Sequence, residues 1–384
     1  NKTFNEKHAI TVIAGFNQEE YRYENTQLGR KDLISTSLPT LGLATGDMSV
    51  SESITTWALR GGYARFNYTF DDKYIAEFNG RYDGTSRFPK DSRFVFNPSG
   101  SVAWVVSREK FFKPFENIFS FFKLRYSYGV LGNQDVGAYE YIATMGSGKT
   151  SQIIDGEQPV YVNAPGLVSG GLTWEKVSTS NLGVEMNFLN NRLTFNGDYY
   201  VRRTKDMLTT GEPLPNVLGT PVPKENTADL KTEGWEITLG WKDRFKLGGK
   251  PFDYQLGFNL ADSRAYITKF KNTTGILSSN YEGKEIGEIW GYTTLGFFTS
   301  QEDIDNHADQ SKLASYASSR PIAPGDLKFA DLNGDGEVYR GANTLDDHGD
   351  LRVIGNSRAR FTYGFTAGGN WNGFDLSLFL QGVG

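Results

Sequence analysis

The sequence predicts an all-β chain, and more narrowly the wall of a transmembrane antiparallel β-barrel with long extracellular loops. Three observations predict it: apolar and polar residues alternate with a period of two, connections alternate between tight and long, and aromatics gather near the ends of the alternating runs. Composition agrees. The 384 residues are only 38% hydrophobic, yet they include 7 Trp, 20 Tyr and 27 Phe beside 44 Gly, and many aromatics with many turn formers suit strands. The sequence has no run of about 18 apolar residues, which excludes a membrane-spanning helix. A net charge of −5 argues against a nucleic-acid partner, which would need a basic surface. The lack of cysteine fits an outer-membrane protein and is equally compatible with a cytosolic one.

About eleven strands are expected, near 9–23, 54–70, 73–86, 94–107, 119–132, 172–189, 192–208, 230–242, 252–267, 358–369 and 373–383. Within them Leu193, Phe195, Gly197, Tyr199 and Val201 share one face against Thr194, Asn196, Asp198, Tyr200 and Arg202. Trp235, Ile237, Leu239 and Trp241 likewise oppose Glu236, Thr238 and Gly240, and Tyr254, Leu256, Phe258 and Leu260 oppose Gln255, Gly257 and Asn259. Tight turns are expected at Asp71–Lys73, Asn190–Asn191 and Asn370–Gly373, with a longer one around Asp243–Pro251. Long segments rich in Gly, Pro, Asn and Ser precede Ile54 and occupy roughly 134–171, 203–229 and 268–357. Such alternation suits a barrel with tight periplasmic turns. A soluble sandwich, whose inner face is equally apolar, is the competing architecture.

The strongest chemical signal is Asp331–Val338, "DLNGDGEV". Oxygens of Asp331, Asn333 and Asp335, the Gly336 turn and the Glu337 carbonyl reproduce the first half of an EF-hand-like calcium loop. Ala342 stands where the bidentate acid belongs, so Asp346, Asp347 or Asp350 would have to complete the ligand set. The same residues also suit a metal-free turn in which carboxylates cap backbone amides. Calcium here would be a structural clip.

Arg81, Asp83 and Arg87 in "GRYDGTSRF" read as ion pairs at an extracellular rim, since Arg81 and Asp83 share one strand face. Tyr139, Tyr141 and Tyr161, in the long segment 134–171, are candidates for stacking against sugar rings. Gly148, Lys149 and Thr150 resemble the tail of a phosphate-binding loop, but Ala143 replaces its first Gly and no helical period follows, so an exposed loop is expected. His8, His307 and His348 lack ligand spacing, and no nucleophile triad emerges, so an enzyme is not expected. Short helices are expected within 300–319, with Ser300 as a cap.

An ordered series of segments carries a family resemblance: "GRYDGTSRF", "KLRYSYGVLGNQ", "LTWEKVSTSNLGVEMNFLNNRLTFNGDYYVRRTKDML", "DLKTEGWEITLGW", "EGKEIGEIWGYTTLGFF", "PGDLKFADLNGDGEV" and "GDLRVIGNSRARFTYGFTAGGNWNGFDLSLFLQG". Together they resemble the SusC/RagA-like TonB-dependent transporters over nearly the whole chain. The resemblance implies a barrel of about 22 strands holding a plug domain. It implies import of oligosaccharides, or of peptides in some members, in the outer membrane of Bacteroidota-type Gram-negative cells. The implied partners are TonB–ExbB–ExbD and a SusD-like lipoprotein lid. Residues 1–384 are then expected to be part of that barrel, with the plug, first strands and last strands outside it, and 268–357 to be a large extracellular insertion carrying 331–338. A calcium-binding surface adhesion module is the alternative from another class, and it would pack its apolar strand faces against one another.

Overall fold

The computed structural model describes residues 2–384 apart from 212–214, 216, 218–219 and 314–319. The strands are β1 (Lys2–Phe4), β2 (His8–Arg30), β3 (Met48–Phe70), β4 (Tyr74–Thr85), β5 (Phe94–Trp104) and β6 (Phe119–Asn133). A small hairpin, β7 (Ser147–Lys149) and β8 (Val160–Val162), precedes β9 (Glu175–Phe188), β10 (Leu193–Thr210), β11 (Lys224–Leu247) and β12 (Lys250–Lys269). After β13 (Glu288–Tyr292), β14 (Thr294–Phe297), α1 (Gln301–Asp305), β15 (Leu327–Phe329) and β16 (Leu351–Asn356) come β17 (Phe361–Trp371) and β18 (Phe374–Val383). Twelve of the strands form one sheet, in the order β1-β2-β3-β4-β5-β6-β9-β10-β11-β12-β17-β18, and every pairing in it is antiparallel. All eleven expected wall strands are present.

The register sorts side chains as the alternation requires. Phe66, Phe78, Gly100 and Tyr128 lie abreast on one face; a second row on the same face runs through Leu124, Val184, Gly197, Ile237, Leu260 and Tyr363. This face is bare: Phe78 is 55%, Leu182 58% and Leu376 75% exposed. A sandwich would cover these residues with a second sheet, and among the described residues no second sheet lies on them. Two aromatic belts bound the apolar face. Tyr74, Trp104, Trp241, Tyr254 and Trp371 mark one end, and Tyr82, Phe96, Tyr128, Tyr199 and Trp235 the other. Tyr74 and Tyr82 are about 26 Å apart along β4, which at barrel tilt gives about 20 Å of depth, matching an apolar band with its girdles.

Several strands run past the belts. β2 and β3 are each 23 residues long, and β11 is 24, well beyond the lengths read from the sequence. The alternation fades there because both faces are polar: Gln18, Glu20, Arg22 and Glu24 replace the apolar series of Ile10, Val12, Ala14 and Phe16, while the ladder continues to Arg30↔Met48. The expected longer turn at Asp243–Pro251 is instead a tight one at Gly248–Gly249 (φ +59° and +78°), like Asn372–Gly373 (φ +50° and +88°). Positive φ at both central residues gives the turn whose twist suits a hairpin. One connection at the tight-turn end departs from the pattern: residues 105–118 hold 3-10 turns that bury Val106 and Phe112.

At the opposite end lie 31–47, 86–93, 134–174, 211–223 and 270–360. Apolar cores form among these loops. Phe88, Val136, Leu172 and Trp174 pack together with Val95, Tyr141 and Leu208, and the Trp174 indole donates to the Arg93 carbonyl at 3.2 Å. Segment 270–360 has its own cluster of Leu277, Tyr281 and Leu351 against Trp290 and Tyr292, and its own hairpins β13–β16 and β14–β15. Ser300 caps α1 as expected, accepting from the Asp303 amide at 3.2 Å; residues 314–319 of the expected helical stretch lie outside the described residues.

Candidate functional site

The polar face of the sheet carries two networks of paired charges. On β3 and β4 the Arg65 Nε donates to Asn79 Oδ1 at 2.7 Å, and Asn79 Nδ2 to Glu77 Oε1 at 2.9 Å. One step higher Arg81 Nε meets both Asp83 oxygens at 2.7 and 2.8 Å, Arg81 Nη2 reaches Asn17 Oδ1 at 2.9 Å, and Asn97 Nδ2 supports Asp83 at 3.2 Å. Across β6, β9 and β10, Lys123 pairs with Glu185 at 3.2 Å and Arg125 Nη2 with Asp198 at 2.6 Å. That last pair spans an intervening strand. Gly183 lies between Arg125 and Asp198 in register, and a Cβ there would stand 2.6 Å from the guanidinium carbon, so only glycine leaves the path open. Tyr63, Arg65, Arg81, Asn97, Ser127 and Asn181 line part of a groove of about 830 Å³ on this face.

The expected rim pair Arg81–Asp83 is formed, but Arg87 is not part of it. Arg87 donates to the Val136 carbonyl at 2.8 Å, and its guanidinium sits 5.0 Å from the Trp57 ring centre. The chain has left β4 at Thr85, so strand alternation no longer places position 87. Arg87 therefore ties loop 134–174 to the wall.

In the 331–338 turn, the carboxylates face backbone amides. Asp331 accepts from Gly334 at 2.6 Å and Gly336 at 2.9 Å, Asn333 Oδ1 from Asp335 at 3.0 Å, and Asp335 Oδ1 from Glu337 at 2.9 Å. The Glu337 side chain pairs with Lys312. Asp350 is fully buried and accepts from Leu332 at 2.7 Å and Tyr339 at 2.9 Å, stapling the turn from behind. Asp347 accepts from the Ala342 amide at 3.0 Å. Among the described residues no three His, Cys, Asp or Glu side chains converge as a metal set. The turn carboxylates cap backbone amides, and Asp347 and Asp350 bond the backbone beside them.

The three tyrosines divide. The Tyr139 hydroxyl bonds the Thr56 amide (3.1 Å) and hydroxyl, while Tyr141 packs on the Phe88 cluster with its hydroxyl 3.5 Å from the Ser86 carbonyl. Tyr161, on β8, stays 44% exposed over Gly148. Gly148 and Lys149 lie in the β7–β8 hairpin and no helix follows, so the phosphate-loop geometry is not built. Sequence reading missed the Lys123–Glu185 and Arg125–Asp198 pairs, because each depends on register across strands far apart in sequence. The glycine at 183, inside an otherwise regular strand, was the available hint.

The chain matches the family model described as TonB dependent receptor-like, beta-barrel, over residues 2–319. It is 28% identical over 408 residues to TonB-dependent receptor P39 of Formosa agariphila, covering 99% of this chain and 38% of that protein. TonB-dependent receptor SusC of Bacteroides thetaiotaomicron is 27% identical over 334 residues, covering 83% of this chain and 30% of that protein. Among solved structures the RagAB peptide transporter superposes with a TM-score of 0.75 at 22% identity, over 99% of this chain and 39% of that one, a likeness of fold. The chain spans less than two-fifths of the length of these relatives.

Proposed function

Because this chain belongs to the TonB-dependent receptor β-barrel family, whose members are outer-membrane proteins, we propose that it forms part of the wall and the extracellular cap of an oligosaccharide importer. The observation that carries this reading is the division of one sheet into a bare apolar face with aromatic belts and a polar, groove-bearing face. In lipid every backbone group needs a partner, so the sheet edges at β1 and β18 would be paired by strands of a longer chain. Such a closed wall is rigid. Movement then falls to a plug engaged by TonB–ExbB–ExbD, and capture falls to the loops with a SusD-like lipoprotein closing over them. Tyr161 offers an exposed ring for a sugar face, and Asn, Ser and Arg groups of the groove offer partners for hydroxyls.

A RagA-like peptide importer is the second reading, favoured by the alternating Arg, Glu and Asp of the polar face, which suit a substrate carrying both signs of charge. Competition uptake separates them. Cells expressing the full-length protein should accumulate labelled oligosaccharides and lose that uptake on deletion; accumulation of labelled oligopeptides instead would replace the first reading with the second. Within the cap, we propose that calcium clips the 331–338 turn through Asp331, Asn333, Asp335 and the Glu337 carbonyl, with Asp347 or Asp350 swinging in. Chelator should then speed proteolysis near 331–350, and equal digestion rates with and without it would remove the ion from the account.

A further inference from the structure

We propose that the outward face of β9–β11, just above the loop-side aromatic belt, binds the phosphorylated headgroup of a membrane lipid in the outer leaflet. This rests on the outward orientation of the apolar face argued above. Tyr199, Leu182 and Trp235 lie abreast in register at the belt, and the same face continues upward through Val201 to Arg203 and Lys205. There Arg203 stands directly opposite Lys231, and Lys205 directly opposite Lys176. Like charges facing each other across a ladder destabilise it unless an anion lies between them. Lys231 has its own answer in Glu233 at 2.5 Å. Lys176, Arg203 and Lys205 are exposed, and among the described residues no acidic side chain pairs with them. On β12 Arg264 lies 3.9 Å from Glu285, and Lys269 stands opposite Asp229 in register.

Height and chemistry select the occupant. Arg203 is four residues above Tyr199, about 13 Å along the strand and roughly 10 Å in depth after tilt, within the headgroup layer. At the same height β2–β5 present Gln18, Ala58, Glu20 and Gly84 with two cations, Arg60, which covers the Phe94 ring at 5.1 Å, and Arg22, which pairs with Glu24 at 3.1 Å. The basic patch is therefore local to one side of the wall. Three cations so placed, Lys176 and Lys205 opposite each other with Arg203 beside them, suit a phosphate monoester, which carries nearly two charges and several acceptor oxygens.

The test uses the full-length protein in vesicles of zwitterionic lipid doped with a bis-phosphorylated lipid A-type glycolipid or its dephosphorylated form. Lipid retained after extraction is counted by native mass spectrometry. Wild type should retain the phosphorylated form preferentially, and Lys176→Gln/Arg203→Gln/Lys205→Gln should lose that preference by on the order of a hundredfold, at about fivefold per cation. Raised salt should weaken wild-type retention in parallel, which reads the same interaction without any substitution. Equal retention by the variant, or of both glycolipids by wild type, overturns the proposal. A spin label at Leu239 keeps the two readings apart. If lipid-dissolved quencher reaches Leu239 and the variant still retains the glycolipid, only this inference fails; if Leu239 is shielded, the outward orientation fails with it.

Discussion

The wall and the cap of loops above it are made from one chain but become ordered in opposite ways. In the wall the longest ladders, β2–β3 and β11–β12, satisfy the backbone while Val12, Phe66, Leu239 and Leu256 stay uncovered. In the cap, ladders are short, and order comes from small buried clusters: Phe88 and Val338 are fully buried, and Leu172 and Trp174 nearly so. Among the described residues no second layer buries the apolar side of this sheet, a task that the reading proposed above gives to lipid, whereas loops in water must each carry a core. The two halves should therefore fail independently.

The largest expected effect tests the cap. Phe88→Ala removes the centre of the cluster that joins 86–93 to 134–174 and should cost about 3–5 kcal/mol locally. Protease should cut 134–174 faster, while the full-length protein keeps its heat-sensitive, folded migration in detergent gels. Loss of folded migration would mean that the wall leans on the cap after all.

The wall is tested by moving one charge by one residue. Leu239→Arg, set between Trp235 and Trp241 on the apolar face, should destabilise the protein in vesicles by about 2–4 kcal/mol. Thr238→Arg, on the polar face, should stay within about 0.5 kcal/mol. Urea midpoints in vesicles measure both, and similar losses at the two positions would contradict the assignment of faces.

The alternation of residues such as Leu193 to Val201 made the wall legible because the two faces of one strand carry opposite chemistry at adjacent positions. Strand ends were not legible, since above the belt Glu20 and Glu19 face similar water and the pattern carries no information there. The site was partly legible. Arg81–Asp83 lies two residues apart on one strand and could be read locally, whereas Arg125–Asp198 needs the register of three strands and the gap at Gly183. Arg87 and Asp350 took roles that loop geometry decides, with the Val136 carbonyl and the turn amides as partners.

Turn chemistry gives a smaller effect that sharpens the same contrast. Gly249 has φ +78° in the tight turn between β11 and β12, with open space around its Cα. Gly249→Ala should cost about 1 kcal/mol through backbone strain alone. It should lower the urea midpoint of the wall and leave cap proteolysis unchanged.

The smallest effect belongs to the cap and depends on pH. Asp303 accepts a hydrogen bond from Lys328 at 2.6 Å and another from the Thr299 amide, which hold its carboxyl down at about 2. Asp326, bonded by Arg320 at 2.6 and 2.7 Å and by the Ala323 amide, is likewise held at about 2. Both values lie below the ordinary 3.8, so the folded loop favours the charged forms. Their stabilisation is complete above pH 3.8 and drains away as pH falls toward 2. Solvent around these side chains keeps the effect modest. Amide exchange in β14 and β15 should accelerate over that window while the wall strands β3 and β4, which rest on ladder bonds, stay protected. The Asp303→Asn/Asp326→Asn variant should already exchange faster at neutral pH and show little further change on acidification; a variant that keeps the wild-type acid response would move its origin away from these two carboxylates.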